Sequence, residues 1–244
     1  MKTRVIHAAL IVFLLLSFQF INAATLSGTY TLPGLVNGTT VNNLTDLSAV
    51  LNSGSNTVSG SVVFEFTSSY SAAAETFPIT FNAFTGLGNV VIRPASSVST
   101  ALSTSGSPSA TALINLSGAK NITFDGRAGG SGTSLLWTVQ NTAVSGSYPA
   151  IQFINGASYD SLKYLTVLSS GTSSTATILL STSTVAGGNS YNLISSCNIG
   201  NYAGYPYNPI LSSGTAGNLN SNNSILNLYC PRKKIGEAEA APFL

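Results

Sequence analysis

The sequence predicts an all-β chain, a parallel β-helix (solenoid) with a short N-terminal capping helix. Three observations predict it. Short apolar runs rich in β-branched and aromatic residues recur between clusters of Gly, Ser, Thr and Asn, the texture of strands bounded by turns. One pattern (Asx, any, apolar, two of any kind, apolar, any, apolar) begins at Asp160, Asn192 and Asn223. It aligns Leu162, Ile194 and Ile225 at offsets of 32 and 31 residues. Charged residues make up only 7% of the chain, against 44% apolar. In stacked coils equivalent side chains lie about 4.8 Å apart, where like charges repel while Asn and Thr ladders satisfy one another.

Taken in order, residues 1–23 read as a secretory signal peptide. Lys2 and Arg4 supply the basic start, an apolar run extends to Phe20, and Ala23 is a small residue at the expected cut. The product is then secreted or held at the cell surface, with no transmembrane segment after signal removal. Residues 24–60 form an N-terminal cap segment. Within it, 28–32 alternate as a strand, and 43–51 read as a helix with Thr45 as N-cap and Asp46 at the positive helix end. Leu47, Val50 and Leu51 share one helix face, and Gly54 closes the helix. Such a cap hides the apolar side chains and open strand edge of a first coil.

Residues 61–230 form the predicted β-helix. Its strand runs are 62–66, 79–81, 90–92, 112–116, 122–124, 135–139, 151–154, 162–168, 178–180, 193–199 and 225–228. Aligning Ile194 with Ile225 sets Cys197 beside Leu228 and Cys230 beside Ile199. The two cysteine Cα atoms are then about 8 Å apart, beyond the ~7 Å reach of a disulfide, so none is expected. Residues 231–244 depart from the repeat. Arg232, Lys233, Lys234, Glu237 and Glu239 crowd into this atypical tail, which a truncated or frame-shifted reading frame explains as well as a real tail would.

Charge and composition exclude several functions. Few charges with many apolar residues exclude a disordered chain. Nine basic residues less the two in the leader leave seven, against seven acidic, so no basic stripe for nucleic acid exists. The sole histidine, His7, lies in the leader, which excludes histidine bases, triads and histidine metal sites from the mature chain. No cofactor is expected.

A further clue lies in Thr76-Phe77-Pro78-Ile79-Thr80-Phe81, Val91-Ile92-Arg93-Pro94-Ala95 and Ala112-Leu113-Ile114-Asn115-Leu116, followed by Asn121-Ile122-Thr123-Phe124-Asp125-Gly126-Arg127. This text resembles the right-handed parallel β-helix regions of large secreted Bacteroidetes surface proteins, which share the pectin-lyase-like fold. The resemblance runs from about Ser27 to Leu228 and implies a right-handed helix. Catalytic members of that class cluster carboxylates, whereas Glu65, Glu75, Asp125 and Asp160 are scattered here, so no catalytic or metal residues are assigned. The ligand-binding candidates are Asp125 with Arg127, the best charged pair, two apart on one expected strand face. Tyr202, Tyr205 and Tyr207 join them, in a Pro/Gly/Asn-rich loop that could stack on sugar rings. The expected function is a non-catalytic stalk or adhesin-like segment with weak affinity for an extracellular polysaccharide or cell-surface glycan. The alternative is a polysaccharide lyase or hydrolase of the same class.

Overall fold

The computed structural model describes residues 23–108, 111–143, 148–169, 176–201 and 208–230. The predicted leader (apart from Ala23) and the atypical tail lie outside them. Three parallel sheets make up the described solenoid, the first of them extending from Ala24 to Leu226. The first stacks Ala24–Leu32, Asn56–Phe66, Asn89–Pro94, Ile122–Asp125, Ser161–Lys163, Leu193–Ser195 and Ser224–Leu226. The second stacks Leu102–Gly106, Trp137–Asn141, Thr166–Ser169 and Asn198–Asn201. The third stacks Ile79–Asn82, Ile114–Ser117, Ile151–Ile154, Ala176–Leu180 and Asn208–Ser212. From Asn89 onward the chain visits the three sheets in rotation, so each circuit adds one rung to each. Seven rungs on the first sheet make about six turns of a parallel β-helix.

Like side chains stack on like because the pairing is parallel. Ile79, Ile114, Ile151, Ile178 and Ile210 are successive partners on the third sheet. Phe64, Ile92, Phe124, Leu162 and Ile194 form the matching column on the first, all buried. Each such side chain is worth about 1.5–3 kcal/mol of burial. Leu162 stands opposite Ile194 and Ile194 opposite Ile225, the register set by the repeated Asx pattern.

The helix, α1, spans Leu44–Asn52, and Asn43 rather than Thr45 caps it. Asn43 Oδ1 accepts the Asp46 N–H at 2.9 Å, while Asp46 Oδ2 accepts the Asn42 N–H at 2.9 Å. The Thr45 hydroxyl is taken by Glu75 and by the Thr76 N–H. At its other end Asn52 meets the edge strand of the third sheet. Its Nδ2 donates to the Thr80 carbonyl at 2.7 Å and its Oδ1 accepts the Asn82 N–H at 2.9 Å. α1 thus covers the strand edge that a further rung would otherwise pair. A short hairpin, Gly34–Val36 with Thr39–Val41, leads into it through Asn37-Gly38, both with positive φ as a tight hairpin turn requires.

Three expectations on strands change. The runs 162–168 and 193–199 each break into two strands on different sheets, with a corner at Tyr164 (φ 52°) or Ser196 (φ 56°). They look continuous in sequence because Leu165 and Cys197 fill the inside of the corner and are buried. The run 225–228 ends at Leu226, where Asn227 turns the same corner. Leu102–Gly106 is a strand that its Leu-Ser-Thr-Ser-Gly text conceals. Its Thr104 is fully buried and meets Tyr70 Oη at 2.7 Å and Trp137 Nε1 at 3.0 Å, so the polar residue costs nothing inside.

Candidate functional site

The four carboxylates of the predicted solenoid go to four separate places. Glu65 pairs with Arg93, its partner one rung away, with Oε1 2.7 Å from Nη2. Glu75 closes the N-terminus of α1. It accepts the Leu44 N–H at 2.8 Å and the Thr45 N–H at 2.7 Å, with Tyr70 Oη donating at 2.8 Å. A carboxylate suits the positive end of a helix. Burial, reinforced by the Glu75 charge, raises the Tyr70 phenol well above its ordinary range, so it stays a donor. Asp160 lies fully buried in the turn before Ser161–Lys163. Among the described residues, no three of His, Cys, Asp and Glu converge.

Asp125 and Arg127 do meet, but across a corner rather than along a strand. Asp125 ends its strand, Gly126 turns, and Arg127 comes back with Nε 2.9 Å from Oδ1 and Nη2 2.6 Å from Oδ2. The Arg127 N–H also donates to Oδ1 at 3.1 Å. Gly126 is required there, since a Cβ would lie 2.0 Å from the Tyr164 carbonyl oxygen of the next coil. The guanidinium carbon sits 4.3 Å from the centre of the Tyr164 ring, a cation–π contact. The pair is thus bidentate, with Asp125 buried and Arg127 capped on one side by a tyrosine.

Beyond Tyr164 runs an open groove of about 340 Å³, lined by Thr133, Leu135, Tyr164, Ser196, Asn227 and Tyr229 among others. Its wall is mainly apolar surface, the two tyrosine rings and Leu135 among it, with a minor share of polar atoms and no charged residue among the described ones. Cys197 lies at its floor. Its thiol is buried and pushed up to about 11 by that burial, so it is no nucleophile at neutral pH.

A second feature lies on the turns that enter the first sheet. Tyr159 and Tyr191 occupy equivalent positions on successive coils, and their rings stack with centroids 4.9 Å apart and planes 6° from parallel. Both remain about half exposed, at 55% and 51%. Asn121 and Asn222 hold the same position on the coils either side, giving a row of amide, ring, ring, amide along the axis. All four have left-handed φ, between 55° and 62°. Asparagine adopts that conformation readily, whereas a bulky residue there costs about 1–3 kcal/mol.

Tyr202, Tyr205 and Tyr207 lie outside the described residues. Tyr159 and Tyr191 fall outside the repeated pattern because they stand one residue ahead of the Asx that begins each repeat. Two tyrosines at that position, on consecutive repeats, were the available signal. In comparisons with protein-family models, curated proteins and solved structures, nothing matches the chain. No helix among the described residues is long and apolar enough to cross a membrane.

Proposed function

We propose that this chain is a non-catalytic segment of an exported or cell-surface protein, a stalk of the pectin-lyase-like kind, with affinity for neutral glycans. The observation that carries the reading is the dispersal of the carboxylates. Glu65, Glu75 and Asp125 are each bound to a separate structural partner, and Asp160 is buried away from all three. An acid–base pair or a calcium site would need two or more of them together. The glycan part rests on the exposed Tyr159–Tyr191 stack between two amides, which offers aromatic faces beside hydrogen-bonding groups.

Purified protein incubated with acidic polysaccharides should release neither unsaturated products nor new reducing ends; measurable release of either would overturn the reading. Calorimetry against soluble neutral glycans should detect binding that weakens in Tyr159→Ala and Tyr191→Ala. Each loss should be about 0.5–1.5 kcal/mol, roughly 2- to 12-fold in Kd. Binding unaffected by both substitutions would remove the tyrosine row from the proposal.

A further inference from the structure

The residues preceding three rungs of the first sheet, Asp160, Asn192 and Asn223, form a column in which each side chain caps the coil below. The Ile122 N–H donates to Asp160 Oδ1 at 2.9 Å, the Asp160 N–H to Asn192 Oδ1 at 3.0 Å, and the Asn192 N–H to Asn223 Oδ1 at 2.9 Å. The second polar atom of each asparagine follows a rule as well. Asn192 Nδ2 donates to the Ala157 carbonyl at 3.1 Å and Asn223 Nδ2 to the Asn189 carbonyl at 2.9 Å. Each of those carbonyls lies three residues ahead of the asparagine's counterpart in the coil below.

At Asp160 the same rule leads to the carbonyl of Ala119, three residues ahead of Ile122. The atom that corresponds to those amide nitrogens is Oδ2, buried and without a hydrogen-bond partner. A carboxylate oxygen set against a carbonyl out of water, with no proton between them, is unfavourable. The Ala119 carbonyl already accepts the Ser158 N–H at 2.9 Å, which leaves its second lone pair for another donor. Only a proton on Oδ2 completes the pattern.

We propose that Asp160 is held in the folded chain as the neutral acid, its Oδ2–H donating to the Ala119 carbonyl as the asparagine amides do on their coils. The junction between Ile122–Asp125 and Ser161–Lys163 is then tight in acid and loosens when that proton leaves. Burial supports this by pushing the carboxyl up to about 7, against the Ile122 N–H, which draws it down. The titratable groups on the elements around it are Lys120 and Asp125 below, Tyr159 and Lys163 on its own coil, and Tyr191 above. None of them is hydrogen-bonded or ion-paired to Asp160, so the Ile122 N–H alone favours the charged form and burial outweighs it.

The sign follows from linkage. The folded chain keeps a proton that the unfolded chain releases near 3.8, so the contribution is complete below about pH 4 and is lost as pH rises to about 7. The test compares the wild type with Asp160→Asn, which supplies the amide of the neighbouring rungs and cannot titrate. The ratio of folding constants, variant over wild type, should rise about tenfold per pH unit between roughly pH 4 and 7 and stay level above that. A ratio flat across that window, or a wild type more stable than the variant at pH 8, would overturn the proposal. Carboxyl carbon NMR of the wild type gives an independent reading should the variant fail to fold. An Asp160 midpoint near 7 is expected, and one in the ordinary carboxylate range would refute it.

Discussion

In the N-terminal coils the space between the sheets is filled by rings, whereas from Asp160 onward the coils are tied together by amides. Phe66, Tyr70, Phe124 and Trp137 meet edge to face at centroid distances of 5.0 to 6.4 Å, and a chain of hydroxyls runs from Glu75 through Tyr70 and Thr104 to Trp137. In the later coils Asn189, Asn192, Asn220 and Asn223 take over, each bridging to the backbone or side chain of the coil beside it. Burial does not distinguish the two regions: Leu162, Leu165, Val167 and Ile194 of the later coils are as buried as Leu26 and Leu32 of the first rung. One backbone arrangement is therefore held in two ways: by packing of rings in the coils near the cap, and by directional hydrogen bonds added to the aliphatic core in the later ones.

The largest break in this comparison should come from Trp137→Ala. It empties the centre of the ring cluster and removes the donor to Thr104, at a cost of about 3–5 kcal/mol in urea unfolding. A loss below about 2 kcal/mol would show that the rings are not what holds the capped coils. Next comes Asn192→Ala, which strands the Asp160 N–H and the Ala157 carbonyl in a buried position. The expected loss is about 2–4 kcal/mol. Asn223→Ala, at the exposed end, should cost under about 1.5 kcal/mol because water can replace the lost bonds. Hydrogen exchange at the Asp160 and Asn192 amides reads the two directly, and equal losses would erase the distinction between inner and outer rungs. The smallest effect is expected from Asp46→Asn. It keeps an acceptor for the Asn42 N–H at the start of α1 but removes the charge, for about 0.3–1 kcal/mol. That difference should shrink with added salt in thermal melts.

The solenoid, its capping helix and the register of its later coils were legible because each rests on a local rule. β-branched runs make strands, an Asx before each strand marks the coil period, and Leu47, Val50 and Leu51 give one face to a helix. The cap residue was misplaced by two positions because Asn43 and Thr45 are both good caps, and only the distant Glu75 decides between them. Corners at Tyr164 and Ser196 left no trace, since neither residue announces a left-handed turn; the stacking of coils imposes it. The tyrosine row was hidden for a related reason. It exists only when coils 31 and 32 residues long bring Tyr159, Tyr191 and Asn222 level, and nothing local to any of the three says so. The sequence pointed to Asp125 and Arg127 for the wrong reason, a shared strand face, where a Gly126 corner joins them.

The isoleucine column on the third sheet has a consequence for how such a molecule can change length over generations. Successive coils present the same faces at the same positions, yet the circuit from Thr123 to Ser161 takes 38 residues and that from Ile194 to Ile225 takes 31. Excess residues leave the rod between rungs, as 126–136 do, without disturbing the columns. A duplication of one whole circuit would therefore slot in and lengthen the rod by a single strand spacing of about 4.8 Å. A one-residue insertion inside a rung would turn every following side chain of that strand to the opposite face. Rod length is in this sense a digital trait, inherited in whole steps, while the outward loops are free to drift and acquire new chemistry.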